Sequence, residues 1–286
     1  MLARTLSGMI LLASACAAAA ADSPAPGGIP DLAGPRSLAL SGGIGIAASN
    51  EGLFVNPASV GARKRYSVEA LMLVDRRGAD TAGQFYGASV VDSLTSPATG
   101  GISYVRAQRG DYVGSLWHAV LSGPVAQDLH LGVAGKYLAV SGPKNAHAAT
   151  VDAGLFWQVA DLLSIGAAGY NLVPIANDAV APMGAGAGIG IGSDRSLQVT
   201  ADWRADFDRA GKTTNRYGAG VEVLLGNLVP LRAGWSKDET LGTKWWSAGV
   251  GLVTQAGVAI DVGYRQSLDD ASARTVAATL KLFLFQ

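Results

Sequence analysis

The sequence predicts an all-β protein: a transmembrane antiparallel β-barrel of about fourteen strands behind an N-terminal leader. Three observations carry this. Of the 286 residues, 49 % are hydrophobic and only 15 % charged, against roughly 25 % charged in an ordinary soluble domain. Past the N-terminus, no apolar run reaches the roughly 18 residues that a membrane helix needs. From Tyr66 onward the chain falls into segments of roughly ten residues separated by turn residues, the spacing of barrel strands. A hydropathic chain with no spanning helix can still live in a bilayer by closing a barrel, where each backbone hydrogen bond goes to a neighbouring strand.

The N-terminus has the form of a secretory signal over residues 1–21. Arg4 supplies the positive start, 9–15 the apolar core, and the alanine run 17–21 offers small-residue cleavage sites. Cys16 is the single cysteine and lies inside this segment, so the mature chain is expected to hold no disulfide. A rival reading makes Cys16 a lipidated N-terminus after Leu12-Ala13-Ser14-Ala15, but the leucine then stands one position too far from the cysteine. Residues 22–35, rich in Pro and Gly, read as an extended periplasmic leader. The 38 glycines argue against a helical protein, because Gly weakens helix interiors.

The strands are expected at 66–74, 83–91, 100–106, 113–122, 129–139, 149–159, 163–171, 183–191, 196–206, 215–225, 229–236, 244–253, 257–266 and 274–285. Alternation is clear in the second half. Within 196–206, Leu197, Val199, Ala201, Trp203 and Ala205 form one face, with Ser196, Gln198, Thr200, Asp202, Arg204 and Asp206 on the other. Within 257–266, Val258, Ile260, Val262 and Tyr264 oppose Ala259, Asp261, Gly263 and Arg265. An apolar face and a charged face fit lipid outside and a polar lumen inside. The segments 83–91, 113–122 and 163–171 do not show which face is which. In the last segment Val276, Ala278, Leu280, Leu282 and Leu284 point to lipid. That turns Phe283 and Phe285 inward, although they resemble the C-terminal aromatic signal of outer-membrane chains.

Connections after the first two hairpins alternate between short and long. The long ones, at 140–148, 172–182, 207–214, 237–243 and 267–273, are expected on the outside of the cell. Trp203, Tyr217, Trp235, Trp246 and Tyr264 fall on the outward set near the long-loop ends, as an interfacial aromatic girdle would.

Residues 36–65 read RSLALSGGIGIAASNEGLFVNPASVGARKR. This stretch resembles the N-terminal region of the FadL/TodX family of outer-membrane transporters and of the related PorV-like barrels. The matching residues are Leu40, Gly42, Gly43, Ala47, Ala48, Asn56, Pro57 and Ala58, just before the first strand. The resemblance implies fourteen strands and an N-terminal segment folded into the lumen as a hatch. It also implies either passive transport of small hydrophobic compounds or a PorV-like scaffold or shuttle role. On this reading 22–65 is leader and hatch, with Gly42, Gly43, Asn56, Pro57 and Ala58 as its motif, and 66–286 is the barrel. Asn-Pro-Ala has a plainer reading as a turn, because Pro fixes φ and pushes the preceding residue out of the helical region. The short external loops argue against a large ligand-gathering head.

Candidate lumen residues are Glu69, Lys136, Asp152, Asp202, Arg204, Arg216, Glu222, Arg232, Asp261, Arg265 and Lys281. Their mixed signs suit either a paired network that stabilises a plugged barrel or a constriction that selects solutes. Gly184, Gly186, Gly188, Gly190 and Gly192 share one strand face, which suits either close approach by another backbone or a flexible strand. The balance of 22 basic and 22 acidic residues points away from nucleic acid. His118, His130 and His147 show no nucleophile or metal spacing, so no catalytic residue, metal or cofactor is expected. The expected partners are outer-membrane lipid and either a small hydrophobic ligand or a secreted or surface protein.

Overall fold

The computed structural model describes residues 34–76, 82–109, 112–141, 146–174, 182–209, 212–240 and 242–284. The expected signal, Cys16, Phe285 and Gln286 lie outside them.

Fourteen antiparallel strands close into one barrel: β1 (Tyr66–Arg76), β2 (Gly83–Asp92), β3 (Thr99–Arg109), β4 (Tyr112–Ala126), β5 (Leu129–Ser141), β6 (Ala146–Ala160), β7 (Leu163–Tyr170), β8 (Gly184–Gly192), β9 (Leu197–Arg209), β10 (Lys212–Leu225), β11 (Val229–Asp238), β12 (Thr243–Val253), β13 (Val258–Ser267) and β14 (Arg274–Leu284). Each strand pairs with its sequence neighbours. The seam joins β1 to β14 from Tyr66↔Leu284 to Arg76↔Arg274. Among the described residues no helix is long and apolar enough to cross a membrane.

Alternation drives this arrangement. On β14, Val276, Leu280, Leu282 and Leu284 stand exposed on the outside while Thr275, Ala277, Thr279 and Lys281 are buried inside. Val262, Ile260, Leu197 and Val199 are likewise exposed. Large aliphatics turned outward around a closed wall require lipid, not water, as their solvent. Trp203, Tyr217, Trp235 and Trp246 stand exposed on this outer face, with Tyr264 half-buried against Trp246 at 5.4 Å between ring centroids. Tyr86, Trp117 and Tyr137 extend the band around the same end. This is the far end of the barrel, opposite to the near end where the chain enters β1.

Several of the far-end loops, expected outside the cell, are shorter than the sequence suggests. Pairing carries β9 to Arg209 and β10 from Lys212, so the expected loop 207–214 is mostly strand. Likewise β5 runs to Ser141 and β6 starts at Ala146. Once two strands are in register, the ladder continues into polar residues as long as neighbours remain to bond. The connections between Tyr170 and Gly184 and between Ser267 and Arg274 stay close to their expected lengths. At the near end tight turns suffice, as at Gly226 and Asn227, both with φ 58.

Ahead of the barrel lie helix α1 (Pro35–Leu40), helix α2 (Gly52–Val55) and a 3-10 turn (Ser59–Ala62). Pro35 starts α1 without losing a needed donor. Glu51 accepts the amides of Arg36 (2.9 Å) and Ser37 (2.8 Å), satisfying the helix start from across the plug. Leu38, Leu40, Ile44, Leu53, Phe54 and Val55 are all buried, because this segment fills the interior of the barrel.

Candidate functional site

The plug rests on a track of wall glycines. A Cβ on Gly188 of β8 would stand 2.6 Å from the Gly45 amide nitrogen, and one on Gly190 would stand 2.6 Å from the Ile46 side chain. The track continues with Gly220 of β10 2.7 Å from Leu40 Cα, Gly234 of β11 2.6 Å from Ala39 O, and Gly263 of β13 2.9 Å from Pro35 Cα. Backbone meets backbone here because no side chain intervenes. The bare face of β8 therefore receives the 44–46 segment.

Motif residues from the sequence sit along this contact. Gly42 abuts Asp202, whose carboxylate accepts the amides of Gly43 and, at 2.9 Å, Ile44. Asn56 is fully buried and donates to Ile44 O (2.9 Å) and to Leu155 O of β6 (3.0 Å), while its side-chain oxygen accepts Ala58 N (3.1 Å). It thus ties two plug segments and the wall together, and also makes the turn. Pro57 and Ala58 press on Gly132 of β5, where a Cβ would stand 2.5 Å from Ala58 N.

All eleven charged lumen candidates project inward. On the β10–β14 side, Arg36 of α1 grips Glu222 at 2.8 and 3.0 Å and also donates to Gln198 (2.9 Å) and Ala47 O (3.0 Å). Glu222 pairs with Arg232, which reaches Asp261 at 2.6 Å. Lys281 bridges Glu69 (2.9 Å) and the plug's Ser49 (2.7 Å). Nearer the far end, Asp206 holds Arg204 (2.9 Å) and Arg216 (2.7 Å), and Lys136 holds Asp152 (2.7 Å). Arg265 covers the inward ring of Trp245 at 4.7 Å and donates to Thr275 at 3.0 Å.

Sequence reasoning missed several members of these networks. Asp75, which holds Arg109 at 2.8 Å, and Asp238, 3.4 Å from Arg216, lie just beyond the expected strand ends. Extending the alternation by two residues would have found both. Arg36 gave no such signal, because its place depends on the plug being inside. A cavity of about 50 Å³ opens between α1 and the wall, with Ser37, Ser41, Asp202, Arg216, Ser236 and Arg265 among its lining.

A large apolar sector lines the lumen from β1 to β5, interrupted by Glu69, Asp75 and Lys136. Leu71 of β1, Val91 of β2, Val105 of β3, Leu116 and Val120 of β4, and Ala134 and Leu138 of β5 face inward onto the plug's Leu53, Phe54 and Val60. The polar inner face read from the second half of the chain does not extend to this sector. The sector also explains the ambiguous 83–91 and 113–122, where both faces are apolar and alternation cannot choose between them. His118 sits in this sector at 1 % exposure, with Phe54 edge-on at 5.0 Å. Its Nδ1 is 3.5 Å from the Ser103 hydroxyl, and Lys136 stands opposite it in the ladder. No group of three metal-binding side chains occurs among the described residues.

At the level of sequence, no family model and no curated protein matches. Solved structures do. The monoaromatic hydrocarbon channel CymD aligns over 89 % of this chain and 98 % of its own, with TM-score 0.69 and 13 % identity. The Ralstonia pickettii toluene transporter TbuX aligns over 88 % and 98 %, with TM-score 0.70 and 13 % identity. A Pseudomonas aeruginosa FadL homologue aligns over 88 % and 97 %, with TM-score 0.61 and 12 % identity. The likeness at that identity is one of fold, and this chain is a plugged, fourteen-stranded transmembrane barrel of the FadL/TodX architecture.

Proposed function

We propose that this barrel stands in the outer membrane of a Gram-negative bacterium and passes small hydrophobic compounds without an energy source. The observation that carries the reading is the apolar lumen sector from β1 to β5. These side chains pack on the plug's Leu53, Phe54 and Val60, and along a route between plug and wall a hydrophobic solute gains by leaving water for such a surface. The solved neighbours named as a monoaromatic hydrocarbon channel and a toluene transporter support the same reading. The N-terminal side of the barrel then faces the periplasm, as an exported chain requires.

The test is uptake by proteoliposomes of a monoaromatic probe such as toluene, with glucose as polar control. Val105→Asp and Leu116→Asp place a carboxylate in the apolar sector. Toluene flux is expected above that of empty liposomes and is expected to fall at least tenfold in either variant. Flux unchanged in both variants, with the barrel folded, would overturn the reading.

A second reading, a surface scaffold or shuttle for a secreted or surface protein, draws support from the ion pairs that lock the plug, above all Arg36 to Glu222. Deleting residues 22–58 separates the two. A transporter loses saturable probe binding and gains unselective conductance, whereas a scaffold keeps its partner on the outer loops.

A further inference from the structure

The outward face of the wall is nearly free of charge, with one exception. At the far end Arg76, Arg106, Lys237, Lys244 and Arg274 occupy outward strand positions, and no Asp or Glu does so there among the described side chains. Four of them stand in two like-charge cross-strand pairs: Arg76↔Arg274 across the seam and Lys237↔Lys244 between β11 and β12. Like charges directly opposite weaken a strand pair. Edge protection, a common reason for basic residues on strands, does not apply to a closed barrel. Two carboxylates stand beside the lysine pair and are shared with other donors. Asp269 accepts the Lys244 amide at 3.0 Å, and Glu239 accepts Asn215 at 3.0 Å and lies 3.5 Å from Lys237.

Their height is informative. Lys237 and Lys244 stand two residues outside Trp235 and Trp246, and Gln266 between the pairs accepts the Tyr264 hydroxyl at 2.6 Å. Aromatic rings of this kind lie at headgroup level, so the cations lie at the level of lipid phosphates. Two strand spacings and two residues of rise separate Arg274 from Lys244, about 12 Å.

We propose that the outer face of β11, β12, β14 and β1 at the far end binds a diphosphorylated glycolipid of the outer leaflet, one phosphate at each basic pair. Phosphate oxygens neutralise the repulsion and accept from both members of a pair. The inference rests on the barrel standing in the outer membrane and is independent of what crosses the lumen.

The test uses the delipidated barrel in nonionic detergent, with melting followed by heat-modifiable migration. Diphosphoryl lipid A is compared with its dephosphorylated form and with phosphatidylglycerol. Binding well above its dissociation constant is expected to raise Tm by about 5 °C or more, and dephosphorylated lipid A is expected to have no effect. R76Q/R274Q and K237Q/K244Q should each lose at least half of the rise, yet melt no lower than the parent without lipid. The charge-retaining R76K/R274K should respond like the parent. An equal rise with dephosphorylated lipid A, or in the variant lacking all four cations, would overturn the site. An equal rise with phosphatidylglycerol would overturn the glycolipid assignment.

Discussion

Replacing Gly188 by valine tests the plug directly. A Cβ there would lie 2.6 Å from the Gly45 nitrogen and 3.0 Å from the Asp202 carboxyl carbon, well inside ordinary contact. Overpacking of a fixed core costs about 1–3 kcal/mol, so alanine strains the contact and valine, with two more methyls, strains it further. The ceiling is set by what holds 43–46 to the wall. Asp202 accepts two amides there, and Ser164 donates to Gly45 O at 2.7 Å. At about 1.5–3 kcal/mol for each bond to a charged group and about 0.5–1.5 for the neutral one, release costs about 3.5–7.5 kcal/mol. Valine is expected to reach the lower part of that range and to lift the segment. The control is Gly135→Val on the outward face of β5, where nothing lies within 4 Å. In planar bilayers the Gly188 variant should show larger conductance than the parent, and residues 34–58 should become open to protease, with neither change in the control. Equal conductance and equal melting for the two variants would show that the glycine track does not seat the plug.

Three further outcomes follow from the same geometry. Val262→Arg puts a charge in lipid and should cost about 2–4 kcal/mol in a refolding titration. Gly263→Ala, which sequence alone ranks as mild, should cost about 1–3 kcal/mol because of Pro35, and only the alanine variant should be rescued when 22–58 is deleted. Arg36→Met removes one partner of a buried pair, normally about 3–5 kcal/mol. Glu222 keeps Arg232, so the loss should sit near about 3 kcal/mol by chemical unfolding, and a loss below about 1 would refute the lock. In the β13–β14 loop, the hydroxyl of Ser272, followed by its amide, holds the Asp270 carboxyl below the usual aspartate range. A depressed pKa means that this order is complete above the ordinary aspartate value and is lost as pH falls through the lowered one. An NMR titration of Asp270 should therefore have a midpoint below that of Asp270 in a Ser272→Ala variant.

Much of the wall was legible because alternation is local. All fourteen strands lie where the ten-residue segments between turn residues put them, and their ends differ by a few residues because ladder length depends on the neighbour, which the strand's own sequence does not contain. Face assignment succeeded wherever one face was charged, as at Asp202 and Arg204 on β9. It stalled at Leu116, His118 and Val120 on β4, where lipid and plug demand the same apolar chemistry.

By itself, then, the sequence determined an outward lipid face, an inward set that includes Glu69, Glu222, Asp261 and Lys281, and an N-terminal segment 22–65 that carries Asn56-Pro57-Ala58 ahead of the first strand. Only the tertiary structure decided what each inward position meets. Whether Gly188 faces a void or the Gly45 backbone, and whether Glu222 meets water or Arg36, depends on closing the barrel around residues 34–62. These contacts join residues more than a hundred apart in sequence, and no local period encodes them.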